Sequence, residues 1–170
     1  MKCRSFIIIA LLCAVIFNLS AQEEKYIGLF VYNFTKYFNW PESMKKGDFV
    51  MQVIGHKSVY DELVRLTAGK KIGNQNIVVK HLTSIEELRR SHIIFIGHWQ
   101  SKYLQDVLNS VGNYPVLIIT EMEGMLDQGS AINFIIRDGT IKFEMSTSNV
   151  IKHQLKTDPR IRELAYKVVD

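Results

Sequence analysis

The spacing of apolar and polar positions changes several times along the chain, and each change marks an element. Tyr26, Leu29, Phe30, Phe34, Tyr37 and Phe38 recur at helical intervals, with Lys25, Gly28, Lys36 and Asn39 on one narrow stripe. This predicts a helix from about Glu24 to Asn39 that more than one neighbour must cover. Pro41 ends it, because the ring lacks an N–H donor and restricts Trp40. "DFVMQVIGH" then supplies a strand from Phe49 to Ile54. Ser58 is placed to cap a helix running to Thr67 or Ala68, with Gly69 as its stop. A second strand is expected near Ile77 to Lys80. Ser84, with Glu87 three residues on, forms the capping box of a short helix. "HIIFIG" is continuously apolar, as a strand buried on both faces should be. Ser101 to Val111 carries helical spacing and stops at Gly112, and "YPVLIIT" is a fourth buried strand.

Beyond the loop "EMEGMLDQGS" the period drops to two. "AINFIIRDGTIKFEM" consists of two alternating runs around Asp138-Gly139. That dipeptide favours a tight hairpin, since both central turn positions need positive φ. "SNVIKHQLKTDPRIRELAYKVV" reads as two helices, the second capped by Asp158 with Pro159 in its first turn. Strands alternating with helices imply right-handed crossovers. The fold expected is therefore an α/β three-layer sandwich, with a mostly parallel sheet, a C-terminal antiparallel hairpin edge and flanking helices. No linker, low-complexity tract or repeat divides residues 22–170, which are expected to be one domain.

The first 21 residues stand apart. Lys2 and Arg4 precede an apolar stretch from Phe6 to Phe17, and Ser20 and Ala21 follow it. This is the order of a secretory signal peptide cleaved after Ala21. The competing reading is a membrane anchor, but the stretch is short against the roughly 20 residues that span a bilayer. Leu12 stands before Cys13 where lipid attachment wants a small residue. Both cysteines, Cys3 and Cys13, fall in the leader. The mature chain therefore carries no thiol, which excludes thiol catalysis and cysteine redox sensing. Of 21 Lys and Arg, Lys2 and Arg4 leave with the leader, so 19 face 17 acidic residues, a net of +2. No basic run stands out, and nucleic acid is not an expected partner. With 47% hydrophobic and 22% charged residues, the chain can build a core without a staple.

In a parallel sheet all strand C-termini share one edge, where ligands bind. The residues just past the strands are Gly55-His56, His81, Gly97-His98-Trp99 and Thr120-Glu121. A small-ligand site would draw on His56, His98, Trp99 and Glu121. The plainer reading is that glycine turns the chain at each strand exit and a polar residue follows as it reaches water. Proximity of His56 and His98 requires adjacent strands. No HxH or HExxH spacing supports a metal, and no G-x-S-x-G, Walker or GxGxxG pattern occurs. No catalytic residue, metal or cofactor is assigned.

"YNFTKYFNWP", "DFVMQVIG", "LRRSHIIFIG", "PVLIIT" and "GSAINFIIRDGTIKFEMSTSNVIKHQL" together resemble the YfiR family of exported bacterial proteins, in the right order over nearly the whole mature chain. Tyr32, Asn33, Phe34, Lys36, Tyr37, Trp40 and Pro41 fall on its first-helix motif. Gly129, Ile132, Phe134, Ile141, Phe143 and Glu144 fall on its hairpin motif. Asn33 sits on an otherwise apolar face, where an unpaired amide costs about 1–3 kcal/mol, so a bond to nearby backbone is expected. The chain departs from the family at Ser91, where a cysteine often stands, and at Ser146, where asparagine is usual.

The resemblance implies a periplasmic regulator. The best-known member represses a membrane diguanylate cyclase by binding its periplasmic sensor part. The function expected here is non-enzymatic restraint of an inner-membrane signalling protein, with Tyr32, Lys36, Trp40 and Tyr103 as candidate contacts, and Trp99 beside them. A small-ligand receptor using the strand-end rim is the first alternative. A hydrolase pairing His98 or His56 with Glu121 is the second. Partner identity, releasing signal and oligomeric state are left open by the sequence.

Overall fold

The structure, a computed structural model, describes residues 23–170, so the expected leader and its cleavage point lie outside the described residues. An eight-stranded sheet forms the middle layer, in the order β10-β8-β7-β6-β5-β2-β4-β3, with the two-residue β3 (Lys71–Ile72) antiparallel to β4 at one edge. Its parallel centre is β2 (Phe49–Ile54), β4 (Gln75–Leu82), β5 (Ile93–Ile96) and β6 (Leu117–Thr120). The hairpin strands β7 (Ile132–Arg137) and β8 (Thr140–Ser146) continue it, with β7 parallel to β6 and antiparallel to β8. Asp138 and Gly139 take φ of 53° and 68°, the two left-handed residues that the turn demands.

Alternation along β5 and β6 feeds two cores. Ile93, Phe95, Leu117 and Ile119 face α1 (residues 23–34) and α2 (Lys57–Thr67), meeting Ile27, Val31, Phe34, Val59 and Leu63. Ile94, Ile96, Val116 and Ile118 face α3 (Leu104–Val111), meeting Leu104 and Val107. Strands buried on both sides explain the unbroken apolar runs. The three-layer α/β sandwich is thus the observed fold. Among the described residues, no helix is long and apolar enough to cross a membrane.

Several expectations need correction. The first helix ends at residue 34, not at Asn39. The Thr35 hydroxyl donates to Tyr32 O at 2.7 Å, competing with the helical ladder. Phe38 and Asn39 then form a short strand, β1, antiparallel to β9 (Lys156–Thr157). Gly28 is not on the wet side of α1: a Cβ there would sit 2.7 Å from Glu62 Cγ, so the glycine lets α1 and α2 approach. Lys25, Tyr26 and Leu29 face outward instead. Helix α2 begins at Lys57, which leaves Ser58 inside its first turn rather than at the cap. The Ser84–Glu87 capping box is present, but it opens only a single 3-10 turn, Ile85–Glu87. The helix expected from Ser101 begins only at Leu104, because Ser101 to Tyr103 belong to a 3-10 segment, His98–Tyr103.

The C-terminal stretch does hold two helices, α4 (Thr147–Lys152) and α5 (Arg160–Leu164), but it also returns to the sheet. Strand β10 (Lys167–Val169) lies parallel to β8, so the hairpin sits one strand in from the edge. Local periodicity could not show this, because three residues carry no period. Ser146 caps α4, accepting from Asn149 N at 3.3 Å, a polar role at the position where the family pattern differs.

Candidate functional site

Strands β2 and β5 are adjacent, with Ile54 opposite Ile96, and β6 lies next to β5. This register brings the two Ile-Gly-His turns side by side with Glu121, the first residue past β6. The Glu121 carboxylate is anchored at one oxygen, where Oε2 accepts from His98 N at 2.9 Å. Its main-chain oxygen lies 3.2 Å from His98 Nδ1, the geometry for an Nδ1–H donor. Oε1 lies 3.6 Å from His56 Nε2, longer than a hydrogen bond. The Glu121 side chain is only 9% exposed. Burial pushes its carboxyl up to about 7; the His98 N–H donation opposes that, and the Glu24 charge adds to it. Burial also pushes the His56 imidazole down, against the pull of Glu24. Both members of the contact are driven toward their uncharged forms, so near neutral pH it is a weak polar contact rather than an ion pair.

The three residues line a cavity of about 490 Å³. Its walls include Ile27 of α1 and Phe134, Ile136 and Ile141 of the hairpin. Glu23 and Glu24, at the start of the described part of α1, also line it, as do Arg137 and Glu123, whose Nη2 and Oε1 are 2.6 Å apart. These four charged residues were not in the sequence-derived set. Nothing in local spacing places the start of α1 beside strand exits more than thirty positions away.

The remaining candidates scatter. His81 lies inside β4, opposite Val53, with its ring 5.4 Å from that of Tyr60, and does not line the cavity. Among the described residues no group of three or more His, Cys, Asp or Glu is arranged to hold a metal. Trp99 leaves the cavity altogether; it is 79% exposed, edge-on to the His98 ring. Tyr103 is 40% exposed on the same 3-10 segment, with Lys102 Nζ 5.0 Å from its ring centre.

On α1, Tyr32 is half-buried, flanked by Lys36 Nζ at 5.4 Å and Lys70 Nζ at 4.6 Å from its ring centre. Lys36 is exposed and donates to Asn33 Oδ1 at 2.9 Å, so Asn33 bonds a side chain and not the backbone expected. Trp40 turns inward and is buried, which corrects its placement among surface contacts. Its indole N–H donates to His92 O at 3.1 Å, and its ring meets Phe49 edge-on. His92 Nδ1 accepts from Val50 N at 3.0 Å, so Nε2 carries the proton and donates to Met44 O at 2.8 Å. Burial pushes that imidazole down from its ordinary value, against its bonds to Met44 and Val50. The Trp-Pro end of the first-helix motif is therefore a packing device that ties the α1 exit to β2 and β5.

The geometry defines a layered α/β domain with a strand-end cavity that sets two imidazoles and a buried carboxylate against apolar walls. Among known families, residues 25–166 fit the YfiR/HmsC-like family, and the chain belongs to it. That membership carries a regulatory class rather than a catalytic one. No curated protein matches the chain.

Proposed function

We propose that this protein is a periplasmic regulator that binds the sensor domain of an inner-membrane signalling protein, a diguanylate cyclase in the reading favoured here, and holds it inactive. The family match over residues 25–166 is the observation that carries this reading. Restraint is a population shift: binding favours the inactive state of the partner, and whatever weakens the complex releases it. Trp99 and Tyr103 are the best contact candidates. Both are large aromatics left exposed on one 3-10 segment, and interfaces draw most of their energy from such residues. Tyr32 and Lys36 form a second, more polar candidate surface. Trp40 supports the fold behind it. Pull-down from membranes with the mature protein should recover one inner-membrane signalling protein, and Trp99→Ala with Tyr103→Ala should lose it while remaining folded. Repeated recovery of no membrane protein contradicts the proposal.

The strand-end cavity supports a second reading, a small-ligand receptor, because its polar groups converge over apolar walls. A saturable rise in melting temperature with a metabolite, abolished by Glu121→Gln, would favour it. The hydrolase reading is not favoured: His56 Nε2 lies 3.6 Å from Glu121 Oε1, beyond hydrogen-bond length, and the His98 ring faces the main-chain oxygen of Glu121 and not its carboxylate.

A further inference from the structure

A second cavity lies at the opposite end of the sheet, where the chain enters β5. We propose that it binds an organic oxyanion, a carboxylate or phosphate ester carried on a flat apolar body, between Arg89, Arg90, Ser91 and Tyr114. The cavity measures about 380 Å³, room for a ring with a charged head. Ser91 lines it and is 2% exposed, yet its hydroxyl has no hydrogen-bond partner. Buried polar groups are nearly always paired, so an orphaned donor in a residue that lines a cavity calls for a partner from outside.

Two cationic residues line the same cavity. Among the described residues, neither Arg89 nor Arg90 is in an ion pair. Arg89 commits only Nη1, which donates to Glu86 O at 3.0 Å and Leu88 O at 2.7 Å. Arg90 sits over the Tyr114 ring, with Cζ 4.4 Å from its centre. A cation–π contact of this kind draws on the guanidinium's charge and uses none of its N–H donors, which stay available to an oxyanion. The end of α3 does not need Arg90: Leu108 O already accepts from Gly112 N at 2.9 Å, and Val111 O from Tyr114 N at 3.1 Å. Leu88, Ile94 and Val116 give the cavity an apolar side against which a ring can lie. Carboxylate and phosphate share this recognition chemistry, and the two headgroups separate only by experiment.

The test uses the purified mature protein without any membrane partner, so its outcome is independent of the regulatory reading. Benzoate and phenyl phosphate are titrated by calorimetry and thermal shift, with benzylamine as a cation of similar shape. Saturable binding of either anion, with none of benzylamine, is expected. Whichever anion binds identifies the headgroup. Arg90→Ala should weaken binding by at least about tenfold, as the loss of a charge-assisted bidentate contact implies. Ser91→Ala should weaken it by about threefold while the unliganded melting temperature stays level or rises, because an unpaired hydroxyl has been removed. Absence of saturable binding by both anions, equal binding of benzylamine, or full affinity in both variants overturns the proposal.

Discussion

The two Ile-Gly-His turns are identical in sequence and solve different problems. Gly55 takes φ of 69°, in the left-handed region, and a Cβ there would lie 2.1 Å from Gln100 Cδ. Gly97 has φ of −63°, open to any residue, and a Cβ there would lie 3.0 Å from His56 Cβ and 3.2 Å from Ile54 O. The first glycine is demanded by backbone conformation and by packing, the second by packing alone. The histidines diverge as well. His56 precedes α2 and offers its ring to Glu121, whereas His98 begins a 3-10 segment and offers its backbone N–H. A repeated tripeptide fixes composition at a strand exit. The element that follows decides what each residue does.

The largest effect expected concerns the carboxylate on which both turns converge. The folded Glu121 holds its proton up to about pH 7, and the unfolded one releases it near 4.5. The folded state binds more protons across that window, so this contribution is full below pH 4.5 and is lost as pH rises through 7. The span corresponds to roughly 3 kcal/mol. His56 runs the other way, since its lowered folded pKa gives stability that is present above 6.5 and lost on acidification. Denaturant titrations from pH 4.5 to 8 should show Glu121→Gln more stable than wild type at pH 8, with the advantage gone at pH 4.5. Equal stability at every pH would mean that Glu121 is not buried between the turns.

Gly55→Ala comes next, at a cost of about 2–3 kcal/mol from strained φ and overlap with Gln100. Adding Gln100→Ala should recover the overlap share and leave about 1 kcal/mol of backbone strain. Gly97→Ala, with permitted φ, should cost only about 1 kcal/mol. Equal losses at the two glycines, measured as denaturation midpoints, would erase the distinction between the turns. Smallest is Trp99→Ala, expected to change stability by less than about 0.5 kcal/mol because the ring is 79% exposed.

What could be read from the sequence follows from how locally each feature is encoded. Helix α2, the four parallel strands and the Asp-Gly turn rest on periods and turn residues a few positions apart, and all are present. The end of α1 and the existence of β1, β9 and β10 depend on pairings such as Phe38 with Thr157 and Lys167 with Glu144, which no local window contains. The candidate site divides in the same way. His56, His98 and Glu121 were legible because strand exits share one edge. His81 was misplaced because β4 runs two residues beyond Lys80. Trp40 suggested a contact surface and proved to be core, since an aromatic at helical spacing carries no sign of which side it faces. Glu23, Glu24 and Arg137 reach the rim by tertiary packing alone.

The central claim is that this protein works by contact with a membrane partner through its exposed 3-10 segment. The most direct measurement places a photocrosslinking amino acid at position 99, with position 80, an exposed residue of β4, as control, and irradiates intact cells. The account predicts a discrete adduct with an inner-membrane signalling protein from position 99 and none from position 80. Adducts of equal yield from both positions, or no membrane adduct from position 99, would contradict it.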